Sequence, residues 1–114
     1  MEEGKIILVV FPQDPEKKLR PALILRAFPK YGDLLVCGIT SRTSQFIPDF
    51  DILLDENHPY FLASGLKISS IFRLNMLTML AAKNIAGTLG ALDHATHFSL
   101  LKNLSDYLLK DATS

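Results

Sequence analysis

Along most of the chain, apolar residues fall into short runs separated by prolines, glycines and charges. Lys5–Phe11 (KIILVVF) is apolar and β-branched, which predicts a buried strand. Pro12 ends it, and the polar stretch Pro12–Leu19 (PQDPEKKL) predicts an exposed loop. Arg20–Phe28 is a second strand that opens on Arg20-Pro21, where the missing N–H of proline costs no ladder bond. The turn Pro29–Asp33 is tight, so the third strand, Leu34–Thr40, pairs with the second as a hairpin. A polar loop, Ser41–Pro48, leads to a short strand, Phe50–Leu54. Glu56–Ser64 is irregular and Gly65 is a turn residue. Lys67–Asn75 is a strand with two internal serines, Ser69 and Ser70. A short helical turn is expected over Leu77–Lys83 and a last short strand over Ile85–Leu89.

The period changes from Asp93 to Leu109. Ala95, Phe98, Leu101, Leu104, Tyr107 and Leu108 recur at spacings of three and four, the stripe of an amphipathic helix. Asp93 is its expected N-cap, because a carboxylate accepts orphan N–H groups of a first turn. Lys110–Ser114 is expected to fray. Short strands followed by a helix imply a mainly β fold, a small antiparallel barrel with a C-terminal α-helix against it.

The chain has 114 residues, the size of a single domain spanning 1–114. Its 48% hydrophobic content excludes a disordered chain. The 12 basic and 12 acidic side chains cancel, so any RNA is bound by a local cluster and not by the whole surface. The acidic opening Met1-Glu2-Glu3-Gly4 is unlike a secretory signal, and no apolar run is long enough to span a bilayer. One cysteine, Cys37, permits neither an internal disulfide nor a thiolate metal cluster, and its apolar strand makes it an inert core thiol. A cytoplasmic protein without metal or cofactor is expected. His94 and His97 lack a third ligand and are expected on the helix surface. Gly87-Thr88-Leu89-Gly90 lacks the lysine and spacing of a phosphate loop.

Three segments carry chemistry: Arg20-Pro21, Gly38-Ile39-Thr40-Ser41 and the end of the Lys67–Asn75 strand, Arg73-Leu74-Asn75. With Gly4–Val9 and Ser64-Gly65-Leu66, their order and spacing resemble the MazF/PemK (Kid-like) family, the small ribonuclease toxins of bacterial type II toxin–antitoxin systems. The resemblance runs from Gly4 to Gly90. It implies an SH3-like barrel of the MazF/PemK/CcdB kind and a homodimer with its RNA groove at or near the dimer interface. It also implies a cognate antitoxin that wraps the dimer and inserts a segment into that groove. The implied activity is metal-independent, sequence-specific endoribonuclease cleavage of mRNA, which blocks translation and growth. Two other readings are a catalytically silent relative that binds RNA or antitoxin, and a structural or protein-interaction barrel with no nucleic-acid role.

The resemblance gives each residue an expected role. Read from chemistry alone, Arg73 is an exposed strand-end arginine; by resemblance it is catalytic, its planar cation matching the oxygens of a phosphorane. Arg20 is the expected contact to the RNA backbone, and the Thr40 hydroxyl positions the substrate phosphate. Ser41 and Arg42 extend that element. Lys17, Lys18 and Lys67 would complete a basic rim, with Ser69 beside them. Asn75 stands where Kid-type toxins carry an acid-base aspartate; an amide hydrogen-bonds RNA but transfers no proton at neutral pH. Asp49, Asp51 and His58 are the candidates to replace that acid, and otherwise the arginine and threonine act alone or the protein binds without cutting.

Overall fold

The computed structural model describes residues 3–112. Six strands form one antiparallel sheet: β1 (Lys5–Val10), β2 (Leu19–Ala27), β3 (Asp33–Thr40), β4 (Ile52–Leu54), β5 (Ser70–Ala81) and β6 (Gly87–Ala91). Their order is β4-β5-β3-β2-β1-β6, and the sheet curls into a half-barrel. A one-turn helix, α1 (Phe61–Ser64), and a long C-terminal helix, α2 (His94–Leu109), complete it. No helix among the described residues is long and apolar enough to cross a membrane.

The unbroken apolar runs have a physical reason: both faces of the sheet are covered. Ile6, Leu23, Leu25, Phe72 and Leu74 point to one core, closed by Phe61 of α1 and by Leu100 and Leu104 of α2. Their neighbours Ile7, Val9, Ala22, Ile24 and Val36 point to a second core, closed by Phe11 and Leu80. Bulges let one sheet wrap both cores, because each extra residue bends its strand. The largest lies in β5: Gly38 of β3 faces Arg73 while its neighbour Cys37 faces Leu77, so Leu74, Asn75 and Met76 have no partners in that ladder.

Asp51 holds this bulge. It is 3% exposed. One carboxylate oxygen accepts the N–H of Leu74 at 3.2 Å and the other accepts the N–H of Ile47 at 3.0 Å. Asp51 is therefore a structural acid, not a solvated one.

Several expectations are corrected. Leu77–Lys83 is not a helical turn. β5 runs on to Ala81 because Leu77–Ala81 pair with Asp33–Cys37 and Leu80 enters the second core; only Ala82–Asn84 form a 3-10 turn. The last strand is Gly87–Ala91, two residues later than expected, and the fourth begins at Ile52. Asp93 does cap α2, accepting the Thr96 N–H at 3.0 Å. The buried stripe, however, is His97, Leu100 and Leu104, and Phe98 is 58% exposed. Apolar residues surround α2, so periodicity allowed more than one stripe. His97 selects the actual one, its Nε2 lying 2.8 Å from the Leu25 carbonyl oxygen; it is a core residue, while His94 is exposed. Beyond α2, Lys110–Ala112 form a turn. Thr113 and Ser114 of the expected frayed end, and Met1 and Glu2 of the acidic opening, lie outside the described residues.

Gly65 shows why a turn residue there must be glycine. Its φ is +76°, and a Cβ would overlap the Leu89 carbonyl oxygen, so α1 and β6 meet backbone to backbone.

Replacing Asp51 with alanine leaves the buried Leu74 N–H and the part-buried Ile47 N–H without their acceptor. The expected loss is about 2–4 kcal/mol of stability, read from urea unfolding. Asp51→Asn keeps one acceptor oxygen and should lose less.

Candidate functional site

Antiparallel register brings the three chemical segments together. Ala22 of β2 faces Gly38 of β3, so continuing that ladder carries Arg20 and Thr40 to the same end of the sheet. Gly38 faces Arg73 of β5 on its other side. At that end lies a cleft of about 370 Å³. Arg20, Thr40 and Arg42 line it, with Asp14, Gln45 and Met76 among the other walls.

Each side chain is held locally. Arg20 donates from Nε to an Asp14 oxygen at 3.1 Å and from Nη2 to Glu16 at 3.1 Å. The two carboxylates raise the Arg20 pKa, Asp14 more than Glu16, so the guanidinium stays charged. The Glu16 N–H and then Arg20 hold the Asp14 carboxyl below the usual carboxylate range. Thr40 Oγ1 accepts the Arg42 N–H at 3.1 Å, which ties the start of the 41–50 loop to β3 and leaves the hydroxyl proton for another acceptor. Arg73 does not line the cleft itself. Its Nη1 donates to Gln45 Oε1 at 3.2 Å, and Gln45 does line it. Among the described residues, the Arg73 Nε is a buried donor with no partner.

The bulge sorts neighbouring residues between two clefts. Met76 lies over Gly38 in the first. Asn75 lines a second cleft of about 430 Å³ with Asp49, Phe50, Asn103 and Tyr107. Asn75 is thus separated from Arg20 and Thr40. The expected rim is narrower than the sequence suggested. Lys17 donates to the Pro12 carbonyl at 3.1 Å and Lys18 pairs with Glu16 at 3.2 Å, both within their own loop. Ser41 and Lys67 are exposed and outside the cleft lining. Ser69 is bound by the Glu56 backbone N–H at 2.9 Å. His58 sits in a turn, its Nδ1 accepting the Tyr60 N–H at 3.1 Å. Among the described residues, no three His, Cys, Asp or Glu side chains gather to hold a metal ion.

Sequence reading missed Asp14, Gln45 and Met76. An acid shortly before an Arg-Pro pair was a usable signal for Asp14. Gln45 carried none, and Met76 depends on a bulge that no local pattern announces.

A family model of the PemK-like, MazF-like toxins of type II toxin–antitoxin systems matches residues 2–108. The chain belongs to this family. Solved structures share the fold. The Mycobacterium tuberculosis toxin MazF-mt6 matches with a TM-score of 0.67 at 17% identity, over 91% of this chain and 95% of that one. A MazE–MazF structure from Deinococcus radiodurans matches with a TM-score of 0.67 at 17% identity, over 95% and 94%. A mycobacterial endoribonuclease in complex with its cognate antitoxin matches with a TM-score of 0.64 at 14% identity, over 95% and 92%. No curated protein matches. This MazF-like toxin therefore keeps the family fold at low sequence identity.

Cys37, beside the cleft glycine, is fully buried, and burial, then the Asp51 charge, pushes its pKa up to about 12. At pH 8 its thiolate fraction is then about 10⁻⁴, so a thiol reagent should modify the folded toxin far more slowly than the unfolded chain. Gly38→Ala would place a Cβ 2.9 Å from Met76 Cε and 3.0 Å from its Cβ. A loss of about 1–3 kcal/mol is expected in thermal melts, partly recovered when Met76→Ala is added, which removes the Sδ and Cε contacts and leaves the Cβ contact.

Proposed function

We propose that this MazF-like toxin is a metal-independent endoribonuclease that cuts single-stranded mRNA. The observation that carries this reading is the convergence of Arg20, Thr40 and Arg42 on one cleft, with Arg73 joined to it through Gln45. Cleavage requires attack of a ribose 2′-oxygen on the adjacent phosphorus. The new O2′–P bond forms, a crowded dianionic phosphorane develops, and the P–O5′ bond breaks. The products are a 2′,3′-cyclic phosphate and a 5′-hydroxyl. Fixed cations beside the phosphorane lower its energy without reorganising at the moment of reaction. Arg20 and Arg42 supply two such cations in the cleft wall. Arg73 supplies a third from behind Gln45. The Thr40 hydroxyl, its oxygen already holding the Arg42 N–H, donates its proton to a non-bridging phosphate oxygen.

The partners follow the same reading. The toxin acts as a homodimer and is silenced by a cognate antitoxin, whose acidic or amphipathic segment competes for the cleft. The MazE–MazF structure and the mycobacterial endoribonuclease–antitoxin complex support this by their fold. A second reading, binding without cleavage, draws on Asn75, an amide that lines the other cleft.

Purified protein free of antitoxin should cut a long unstructured RNA at discrete positions in EDTA. Arg73→Ala should lower the rate about 10²–10³-fold. Binding without cuts by the folded protein would favour the second reading. Three arginines at phosphates predict that log K falls against log salt with a slope of about −2 for single strands, a shallow dependence for a nucleic-acid binder.

A further inference from the structure

We infer that Asp14 is the general base of this cleft, taking the proton of the attacking 2′-hydroxyl. The inference rests on the ribonuclease reading above and names a catalytic residue for it.

The structure removes the other candidates. Asp51 is buried and committed to two backbone N–H groups. Asp49 lines the second cleft with Asn75. His58 lies outside the cleft lining, its ring held against the Tyr60 N–H. Of the residues that line the first cleft, Asp14 is the one side chain that can accept a proton at neutral pH.

Its placement suits the task. The Asp14 side chain is 11% exposed and lies 3.1 Å from Arg20 Nε through Oδ2. Oδ1 accepts the Glu16 N–H at 2.9 Å. These two bonds fix the carboxylate in the wall that also carries Arg20, so base and phosphate-binding cation stand side by side. The charged side chain on it is Arg20, with Glu16 on the far nitrogen of Arg20, and Arg42 lines the same cleft. The held-down pKa keeps Asp14 ionised throughout the neutral range, in the form a base requires.

The step balances. The 2′-O–H bond breaks and its proton passes to Asp14. The O2′–P bond forms as the P–O5′ bond breaks. The leaving 5′-oxygen takes a proton from water, and Asp14 returns its proton to water.

Asp14→Asn tests this, because the amide fills the same space and keeps one acceptor oxygen, for Arg20 or for the Glu16 N–H, while it cannot take a proton at neutral pH. Wild-type and variant are assayed on a short RNA containing a mapped cut, in EDTA, from about pH 5.5 to 8.5, with folding checked by thermal melt. Binding is measured on the same RNA with a 2′-deoxyribose at the cut. The wild-type rate should be nearly flat with pH. The Asp14→Asn rate should be about 10²–10⁴-fold lower and rise about tenfold per pH unit, as hydroxide replaces the missing base. Both proteins should bind the deoxy RNA equally, and Asp14→Glu should recover much of the rate. Wild-type and Asp14→Asn cutting alike would overturn the base role alone. So would weaker binding by Asp14→Asn with an unchanged pH profile, the result of a residue that only positions Arg20. A folded wild type that makes no cuts would overturn the ribonuclease reading, and the base role with it.

Discussion

The cleft depends on one buried carboxylate. Asp51 accepts two backbone N–H groups, one from the β5 bulge and one from the 41–50 loop. Without it the Leu74 N–H would lie buried and unsatisfied and the loop would lose its tie at Ile47, so Asp51 stabilises the bulge and the loop as one unit. The consequences reach both clefts. The bulge turns Met76 onto Gly38, directs Asn75 the other way and leaves Arg73 within reach of Gln45. The loop brings Arg42 and Gln45 to one cleft and Ile47–Phe50 to the other. An acid in the hydrophobic interior thus sets the positions of cations it never touches.

Charge in the cleft is local and partly offset. The chain as a whole is neutral. Arg20 carries two carboxylates from its own loop, and Lys18 shares one of them. The pairs to Glu16 are exposed and worth little, so an anion of higher charge density displaces Glu16 at small cost. Asp14 is the more enclosed of the two acids and Glu16 the more exposed. The arrangement holds Arg20 in place before any ligand arrives, which reduces the side-chain entropy lost on binding.

Much of the fold was legible. The apolar runs located β1, β2 and β3, and the tight turn before Asp33 paired two of them. Asp93 announced the start of α2. The failures share a cause. Leu77–Ala81 reads as a helical turn alone but becomes strand once β3 offers it a ladder. His97 reads as a surface histidine until the Leu25 carbonyl is placed opposite it. Both outcomes turn on partners distant in the chain, which local propensity does not encode.

The candidate site divides along the same line. Residue types and their order along the chain were enough to single out Arg20, Thr40 and Arg73 and to suggest the toxin family, because those motifs are local. What surrounds them was not local. Asn75 and Met76 are neighbours in sequence yet belong to different clefts, and Asp51, which resembles a solvated acid, is the strut between them. A bulge three residues long changes which way each following side chain points, and its existence depends on a hydrogen bond from a residue twenty-three positions away. The sequence by itself therefore determined the chemistry available to this protein. Only the tertiary structure decided which of those groups share a cleft, because long-range register and buried hydrogen bonds set side-chain direction.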